Sequence, residues 1–212
     1  MAKIIGANIP DIPWEDKPAG FEYPVWRYSG NPVITRDNLH MANSIFNSAV
    51  VSFGSGFAGV FRADIRSRAQ KLVVGFSDDA VNWTLEDKYI FDGYDPRLCE
   101  IDGKYYLSWV NPTPHGTTIG IAFTEDFKSW TQLEDACYPV ARNGVLFPRK
   151  INGEYLLLIR PCDRGHTAIS LSAARRISLI GANTALLWAP LKIGKLQKSE
   201  RVRLLLKPTR AG

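Results

Sequence analysis

The segment FSDDAVNWT at residues 76–84 returns 47 residues later as FTEDFKSWT at residues 123–131. A second segment, IDGKYYLSWV at residues 101–110, returns 50 residues later as INGEYLLLIR at residues 151–160. The Asp-Gly and Asn-Gly pairs predict hairpin turns, because both central residues of such turns tolerate a positive φ. A repeat of this length, built from four short strands, is typical of a β-propeller blade. The sequence therefore predicts an all-β propeller.

The start and the end of the repeated pattern divide the chain into three segments. Residues 1–40 are rich in proline and aromatic residues, which excludes a helix and predicts an extended arm that packs over a neighbouring sheet. Residues 41–167 carry the repeats and predict a partial propeller of about two to three blades. Residues 168–212 lack the repeat, and we expect a tail unrelated to the rest, as a shifted reading frame would produce. The alternative for this tail is a basic amphipathic helix or an interaction segment.

Charge is divided sharply between the body and the tail. The whole chain carries a net charge of +5, but residues 168–212 alone hold nine basic residues and one acidic residue. The first 167 residues are therefore mildly acidic, which argues against nucleic-acid binding by the body. Three cysteines without CxxC spacing, no signal-peptide pattern and no membrane-length apolar run predict a cytoplasmic protein. Three widely spaced histidines argue against a metal site.

The segment GYDPR at residues 93–97 presents one carboxylate just ahead of a predicted strand. Because a proline restricts the residue before it, we expect Asp95 to be extended and its carboxylate to be aimed by the backbone. Arg97 could hold that carboxylate ionised, and a plain surface turn with an Asp–Arg pair is the alternative. Arg62 and Arg160 each end an apolar run, where an arginine is costly to bury unless it meets an anion.

Several longer motifs give the chain a family resemblance. They are GANIP (6–10), IPWE (12–15), VWRY (25–28), NSIFNSAVV (43–51), AGVFR (58–62), YDPR (94–97), TIGIA (118–122) and RNGVLFPRK (142–150). Together they resemble the β-1,4-mannoside phosphorylases of glycoside hydrolase family 130, over about residues 5–166. The resemblance implies a five-bladed β-propeller with an axial active site. It also implies that phosphate, the co-substrate, cleaves mannooligosaccharides or mannosyl-N-acetylglucosamine with inversion and releases mannose 1-phosphate.

The resemblance also assigns roles to individual residues. It makes Asp95 the general acid, relaying its proton through a hydroxyl of the bound mannose. It associates four residues with phosphate (Arg142, Asn143, Lys150 and Arg160) and three with the sugar (Asn43, Ser44 and Arg62). No cofactor is implied beyond phosphate. The expected partners are a β-mannoside and phosphate, with neither nucleic acid nor a membrane, and a homo-oligomer is left open.

Two other functions remain open at this stage. A propeller glycoside hydrolase would need a second carboxylate to activate water, for which the candidates are Asp64, Asp78, Asp79 and Asp126. A phosphorylase needs only the acid, because phosphate is already a charged nucleophile. The third reading is a non-catalytic carbohydrate-binding propeller fragment. Because the resemblance ends near residue 167, we expect this chain to be impaired or inactive unless another copy completes its pocket.

Overall fold

A computed structural model describes residues 15–137, 139, 141–161 and 173–177, and within them the fold is almost entirely β-sheet. A short 3-10 helix, Arg36–Asn38, precedes eleven strands. The strands are β1 (Ala42–Phe53), β2 (Gly56–Ile65), β3 (Gln70–Ser77), β4 (Thr84–Asp92), β5 (Tyr94–Ile101), β6 (Lys104–Thr113), β7 (Gly116–Thr124), β8 (Thr131–Gln132), β9 (Ala141–Leu146), β10 (Tyr155–Pro161) and β11 (Ala173–Ile177).

The strands form three antiparallel meanders, each a propeller blade. Blade 1 has the order β1-β2-β3-β4 and blade 2 the order β5-β6-β7-β8. Blade 3 is three-stranded in the described residues, with β10 between β9 and β11. The first strands of successive blades face one another, because β1 contacts β5 and β5 contacts β9. The predicted all-β partial propeller of two to three blades is confirmed.

Turn chemistry sets the register of the predicted hairpins. Asp102 and Gly103 have φ values of +53° and +76°, and Asn152 and Gly153 have +53° and +78°. These paired positive angles are those of the predicted Asp-Gly and Asn-Gly turns, which only short polar residues and glycine adopt readily.

The repeated Asp…Trp turns lie at the outer edges of blades 1 and 2, and their carboxylates bond to their own turns. Asp79 accepts hydrogen bonds from the backbone amides of Val81 and Asn82 at 2.9 and 2.7 Å. Asp126 does the same for Lys128 and Ser129 at 2.9 and 2.8 Å. These carboxylates therefore cap turns, so neither is a candidate for activating water.

Apolar side chains pack between the blades. Between blades 1 and 2 the buried cluster includes Val60, Leu72, Leu107, Trp109 and Phe127. Between blades 2 and 3 a second cluster contains, among others, Ile119, Ile121, Leu146 and Leu157. Two sheet faces in contact exclude water from both, so each blade is stabilised chiefly by its neighbour.

The predicted arm and tail are described only in part. Within the arm, Tyr23 is 71% exposed, so this aromatic ring does not pack over a sheet as expected. At the other end, the expected boundary at residue 167 falls before β11, whose residues pair with β10 from Tyr155↔Ile177 to Ile159↔Ala173. Most of residues 168–212 lie outside the described residues. None of the described helical residues forms a segment long and apolar enough to cross a membrane.

Candidate active site

The candidate site is built by three β-bulges, one on the first strand of each blade. Pairing slips between Phe46 and Ala49 on β1, between Tyr94 and Arg97 on β5, and opposite Leu158 and Arg160 on β9. The first residue inside each bulge has a positive φ: +49° for Asn47, +52° for Asp95 and +53° for Asn143. Asparagine and aspartate are the side chains that tolerate this region best. The three residues lie exactly 48 apart in the sequence.

The three bulges bring their side chains together. Asn47 Nδ2 donates to Asp95 Oδ1 at 2.5 Å, and Asn143 Nδ2 donates to Asp95 Oδ2 at 3.1 Å. Each amide holds a different oxygen, so the plane of the carboxylate is fixed from both sides. One acid is thus centred between two amides contributed by the neighbouring blades.

The expected conformation of Asp95 is wrong. Its φ of +52° is left-handed, because the bulge requires a positive φ at this position and overrides the preference that Pro96 imposes. The expected Asp95–Arg97 pair is also wrong, since Arg97 Nη1 donates instead to the backbone carbonyl of Pro96 at 2.7 Å. The cation that contacts Asp95 is Arg62 of β2.

Arg62 links two carboxylates. Its Nη1 lies 3.3 Å from Asp95 Oδ1, while its Nε and Nη2 donate to Asp64 at 2.7 and 3.0 Å. Its side chain is 13% exposed, and burial alone would lower its pKa. The hydrogen bond to Asp64 and the charges of Asp64 and Asp95 outweigh burial and raise the pKa overall.

Glycine at position 93 lets the chain just before the Asp95 bulge approach β6 closely. Gly93 has a φ of +132°, and a Cβ there would lie 2.5 Å from the Val110 carbonyl oxygen and 2.6 Å from Trp109 Cδ1. Trp109 in turn donates from Nε1 to the Asp92 carbonyl at 3.1 Å. The start of β5 is therefore pinned against a buried tryptophan, which is only 1% exposed.

Arg142 and Arg160 lie beside this centre. They are direct partners in the β9–β10 pairing, and Arg142 immediately precedes Asn143. The structure therefore places two of the expected phosphate ligands, together with Asn143, on the blade 3 side of Asp95.

Lys150 is not part of this cluster. Its Nζ lies 2.7 Å from Asp102 Oδ2 and 4.9 Å from the centre of the Tyr155 ring. Asp102 follows the far end of β5, roughly 20 Å from Asp95 at about 3.3 Å per strand residue. The expected grouping of Lys150 with Asn143 is therefore not seen, because the chain reverses between β9 and β10.

The structure also separates the expected sugar residues. Arg62 lies at the site, whereas Asn43 lines a polar cleft of about 380 Å³ with Arg36, Asp37, His40 and Arg66, among others. Ser44 pairs with Asp64 across β1 and β2. The residue that contacts Asp95 from β1 is Asn47, which the sequence interpretation did not assign to the site. Its 48-residue spacing from Asp95 is the signal that could have identified it.

No group of three or more His, Cys, Asp or Glu residues within the described ranges is arranged to hold a metal ion. The groups that the structure brings together are the Asp95 carboxylate, its two amide donors, and Arg62 with its second carboxylate partner Asp64.

Comparison with solved structures defines the class of fold. A glycosyl hydrolase from Bacteroides ovatus matches with a TM-score of 0.56 at 18% identity, over 73% of this chain and 58% of that one. The β-1,2-mannobiose phosphorylase of Listeria innocua matches with a TM-score of 0.55 at 17% identity, over 71% and 61%. At these identities the likeness concerns the fold alone.

Sequence comparison then gives the family. A family model described as β-1,4-mannooligosaccharide phosphorylase (Glyco_hydro_130) matches residues 7–188, so the chain belongs to glycoside hydrolase family 130. The match extends past the expected boundary at residue 167. The β-1,4-mannooligosaccharide phosphorylase of Ruminococcus albus is 47% identical over 182 residues, covering 77% of this chain and 54% of that protein. A 1,2-β-oligomannan phosphorylase of Thermoanaerobacter is 28% identical, over 63% and 52%. The chain spans about half the length of these curated relatives.

Proposed function

We propose that the Asp95 site serves inverting phosphorolysis of β-1,4-linked mannosides, such as mannooligosaccharides or mannosyl-N-acetylglucosamine. A phosphate oxygen attacks the anomeric carbon of the terminal mannose while the bond from that carbon to the bridging oxygen breaks. The bridging oxygen takes the proton of Asp95, relayed through a hydroxyl of the bound mannose. The products are mannose 1-phosphate and the shortened saccharide.

The observation that carries this proposal is the single carboxylate of Asp95 held by Asn47, Arg62 and Asn143, with two arginines on one side. An inverting hydrolase needs a second carboxylate free to activate water. Both oxygens of Asp64 accept hydrogen bonds from Arg62, Asp79 and Asp126 cap outer turns, and Asp78 lies exposed in the same outer turn as Asp79. A charged nucleophile held by arginines needs no such base. The 47% identity to a mannooligosaccharide phosphorylase supports the same reaction.

In the proposed roles, Asp95 is the acid, and Arg142, Arg160 and Asn143 form the side that receives phosphate. Arg62 and Asn47 hold the acid and border the sugar. The proposed mannoside and phosphate are the only partners the reaction requires, and phosphate is a co-substrate, not a bound cofactor.

The test is formation of mannose 1-phosphate from β-1,4-mannobiose and inorganic phosphate. We expect product at an impaired rate from the wild-type chain, none without phosphate, and a further loss of at least about 1,000-fold in Asp95→Asn, because the amide cannot donate the acid proton. Circular dichroism of Asp95→Asn should match the wild type, since Asn tolerates the same positive φ. Release of free mannose without phosphate would instead identify a hydrolase. Saccharide binding with no cleavage under either condition would identify a non-catalytic propeller fragment, or a pocket that only a longer chain or a second copy completes.

A further inference from the structure

Arg62 is held more firmly by Asp64 than by Asp95. The fork formed by Nε and Nη2 meets both oxygens of Asp64 at 2.7 and 3.0 Å, whereas one nitrogen, Nη1, reaches Asp95 at 3.3 Å. A bidentate guanidinium–carboxylate pair is stronger and more directional than a single contact. The side chains of Arg62 and Asp64 are 13% and 26% exposed, so solvent screens this pair only partly.

The same guanidinium is confined by two aromatic rings. Its Cζ lies 4.2 Å from the centre of the Phe46 ring on β1 and 5.1 Å from that of Tyr94 on β5. Residues two apart on a strand share a face, so Arg62 and Asp64 project from β2 in the same direction. The two rings limit the position of the guanidinium group, and the two hydrogen bonds to Asp64 set the orientation of its plane.

We propose that Asp64 is a positioning residue for the acid, acting through Arg62; this rests on the proposed role of Asp95. Asp64 occupies the paired donors of Arg62, so only a single N–H faces Asp95. Without that hold, the fork is able to turn and take both oxygens of Asp95, which Asn47 and Asn143 otherwise share. Asp95 would then be locked in an ion pair and withdrawn from the mannoside.

The test compares Asp64→Asn with Asp135→Asn, a matched loss of a hydrogen-bonded carboxylate. Asp135 accepts from Asn111 on β6 at 3.1 Å and from Thr118 on β7 at 2.5 Å, whereas the acid lies on β5. With β-1,4-mannobiose and phosphate we expect kcat to fall at least about tenfold in Asp64→Asn, with KM changed less than about twofold, because misplacing a reacting group costs rate. Asp135→Asn should keep the wild-type kcat. Asp64→Glu, which keeps the charge, should recover part of the lost rate.

Either of two kinetic results would overturn the proposal: a kcat for Asp64→Asn within about twofold of the wild type, or equal losses in Asp64→Asn and Asp135→Asn. The second of these would mean that losing any such carboxylate weakens the fold.

A measurement that needs no turnover separates this inference from the proposed function. The Nε–H of Arg62, assigned by its absence in Arg62→Lys, should give a slowly exchanging ¹⁵N NMR signal in the wild type and in Asp135→Asn. It should be lost or shifted in Asp64→Asn, and an unchanged signal would contradict the positioning role. If the wild-type chain makes no mannose 1-phosphate, the proposed function fails, while this signal still decides whether Asp64 orients Arg62.

Discussion

At the scale of single residues, the two asparagines that flank Asp95 can be tested without disturbing their backbone. Both have a positive φ, so glycine is the substitution that removes the amide and keeps the bulge. We expect Asn47→Gly and Asn143→Gly each to lower kcat by about 10- to 100-fold, because one oxygen of the acid is then no longer held in place. The measurement is mannose 1-phosphate formation at saturating substrate.

Asn152→Gly is the matched control for these variants. Asn152 has the same φ of +53° but lies in the β9–β10 hairpin, away from Asp95. The variant Asn152→Gly should keep the wild-type kcat for mannose 1-phosphate formation. Comparable losses in all three variants would show that the bulge asparagines act only through stability.

Sequence reasoning found much of the site, and its errors have local causes. Asp95, Arg62 and Asn143 were selected, and the structure brings them into contact. Asn47 was missed because residues 43–48 contain two Asn-Ser pairs four residues apart, and only the position of the bulge distinguishes them. Lys150 was associated with phosphate through the family resemblance, but the structure pairs it with Asp102, beyond the far end of β5.

At the scale of elements, Gly93 sets how closely the start of β5, which carries the acid, packs against β6. Gly93→Ala should destabilise the fold by about 2–4 kcal/mol, combining backbone strain with the clash against Trp109 and Val110. It should also reduce activity in the folded fraction, because the start of β5 moves with Asp95. Urea unfolding and kcat would be measured together.

Gly54→Ala isolates the strain component of that effect. Gly54 has a φ of +59°, and a Cβ there meets nothing within 4 Å. Gly54→Ala should therefore lower the free energy of unfolding by only about 1–2 kcal/mol and leave kcat unchanged. If both variants behave alike, close packing at Gly93 has no special role.

The repeated turns make stability depend on pH. Backbone amides, that of Asn82 foremost, hold the pKa of Asp79 well below its ordinary value of 3.8, and the Ser129 amide lowers that of Asp126. A carboxyl whose pKa is lower in the folded state contributes stability above about pH 4 and loses it as the pH falls further. The free energy of unfolding, measured with urea, should therefore decline less between pH 5 and pH 3 in the double variant Asp79→Asn/Asp126→Asn than in the wild type. An equally steep decline of the free energy of unfolding in both proteins would mean that groups other than Asp79 and Asp126 cause the loss of stability in acid.

At the scale of the whole molecule, the blades depend on the aromatic packing between them. Phe127 is fully buried and contacts Phe53 and Phe76 of blade 1 as well as Tyr105 of blade 2. Phe127→Ala should lower the free energy of unfolding by about 3–5 kcal/mol, by loss of burial and creation of a cavity. Unfolding monitored by tryptophan fluorescence and by circular dichroism should stay a single, coincident transition if the blades unfold together.

Tyr89→Ala provides the comparison for Phe127. Tyr89 is also aromatic but 52% exposed, so its loss should cost less than about 1 kcal/mol. Two separate transitions in Phe127→Ala would show instead that blades 1 and 2 are independent units.

The blade architecture was predictable because each repeat carries its own turn residues and alternating apolar pattern. The continuation of blade 3 into β11 was not, since residues 173–177 do not carry the motif of the earlier blades, although they pair with β10. Backbone hydrogen bonds leave little trace in side-chain identity, so a strand added this way is hard to recognise in a sequence.

The evenly spaced bulges have a consequence for how the chemistry of such a pocket can change. The corresponding bulge positions of three successive blades, Asn47, Asp95 and Asn143, all hold a short side chain at a positive φ. Their side chains end in an amide at two positions and in a carboxylate at the third. Exchanging one NH₂ for one oxygen at Asn143 would set two carboxylates within hydrogen-bonding distance, where they would have to share a proton. An asparagine and an aspartate at a bulge position thus differ by one side-chain group, while the backbone of the bulge stays the same. A single substitution at such a position could therefore change the chemistry of the pocket without changing the fold.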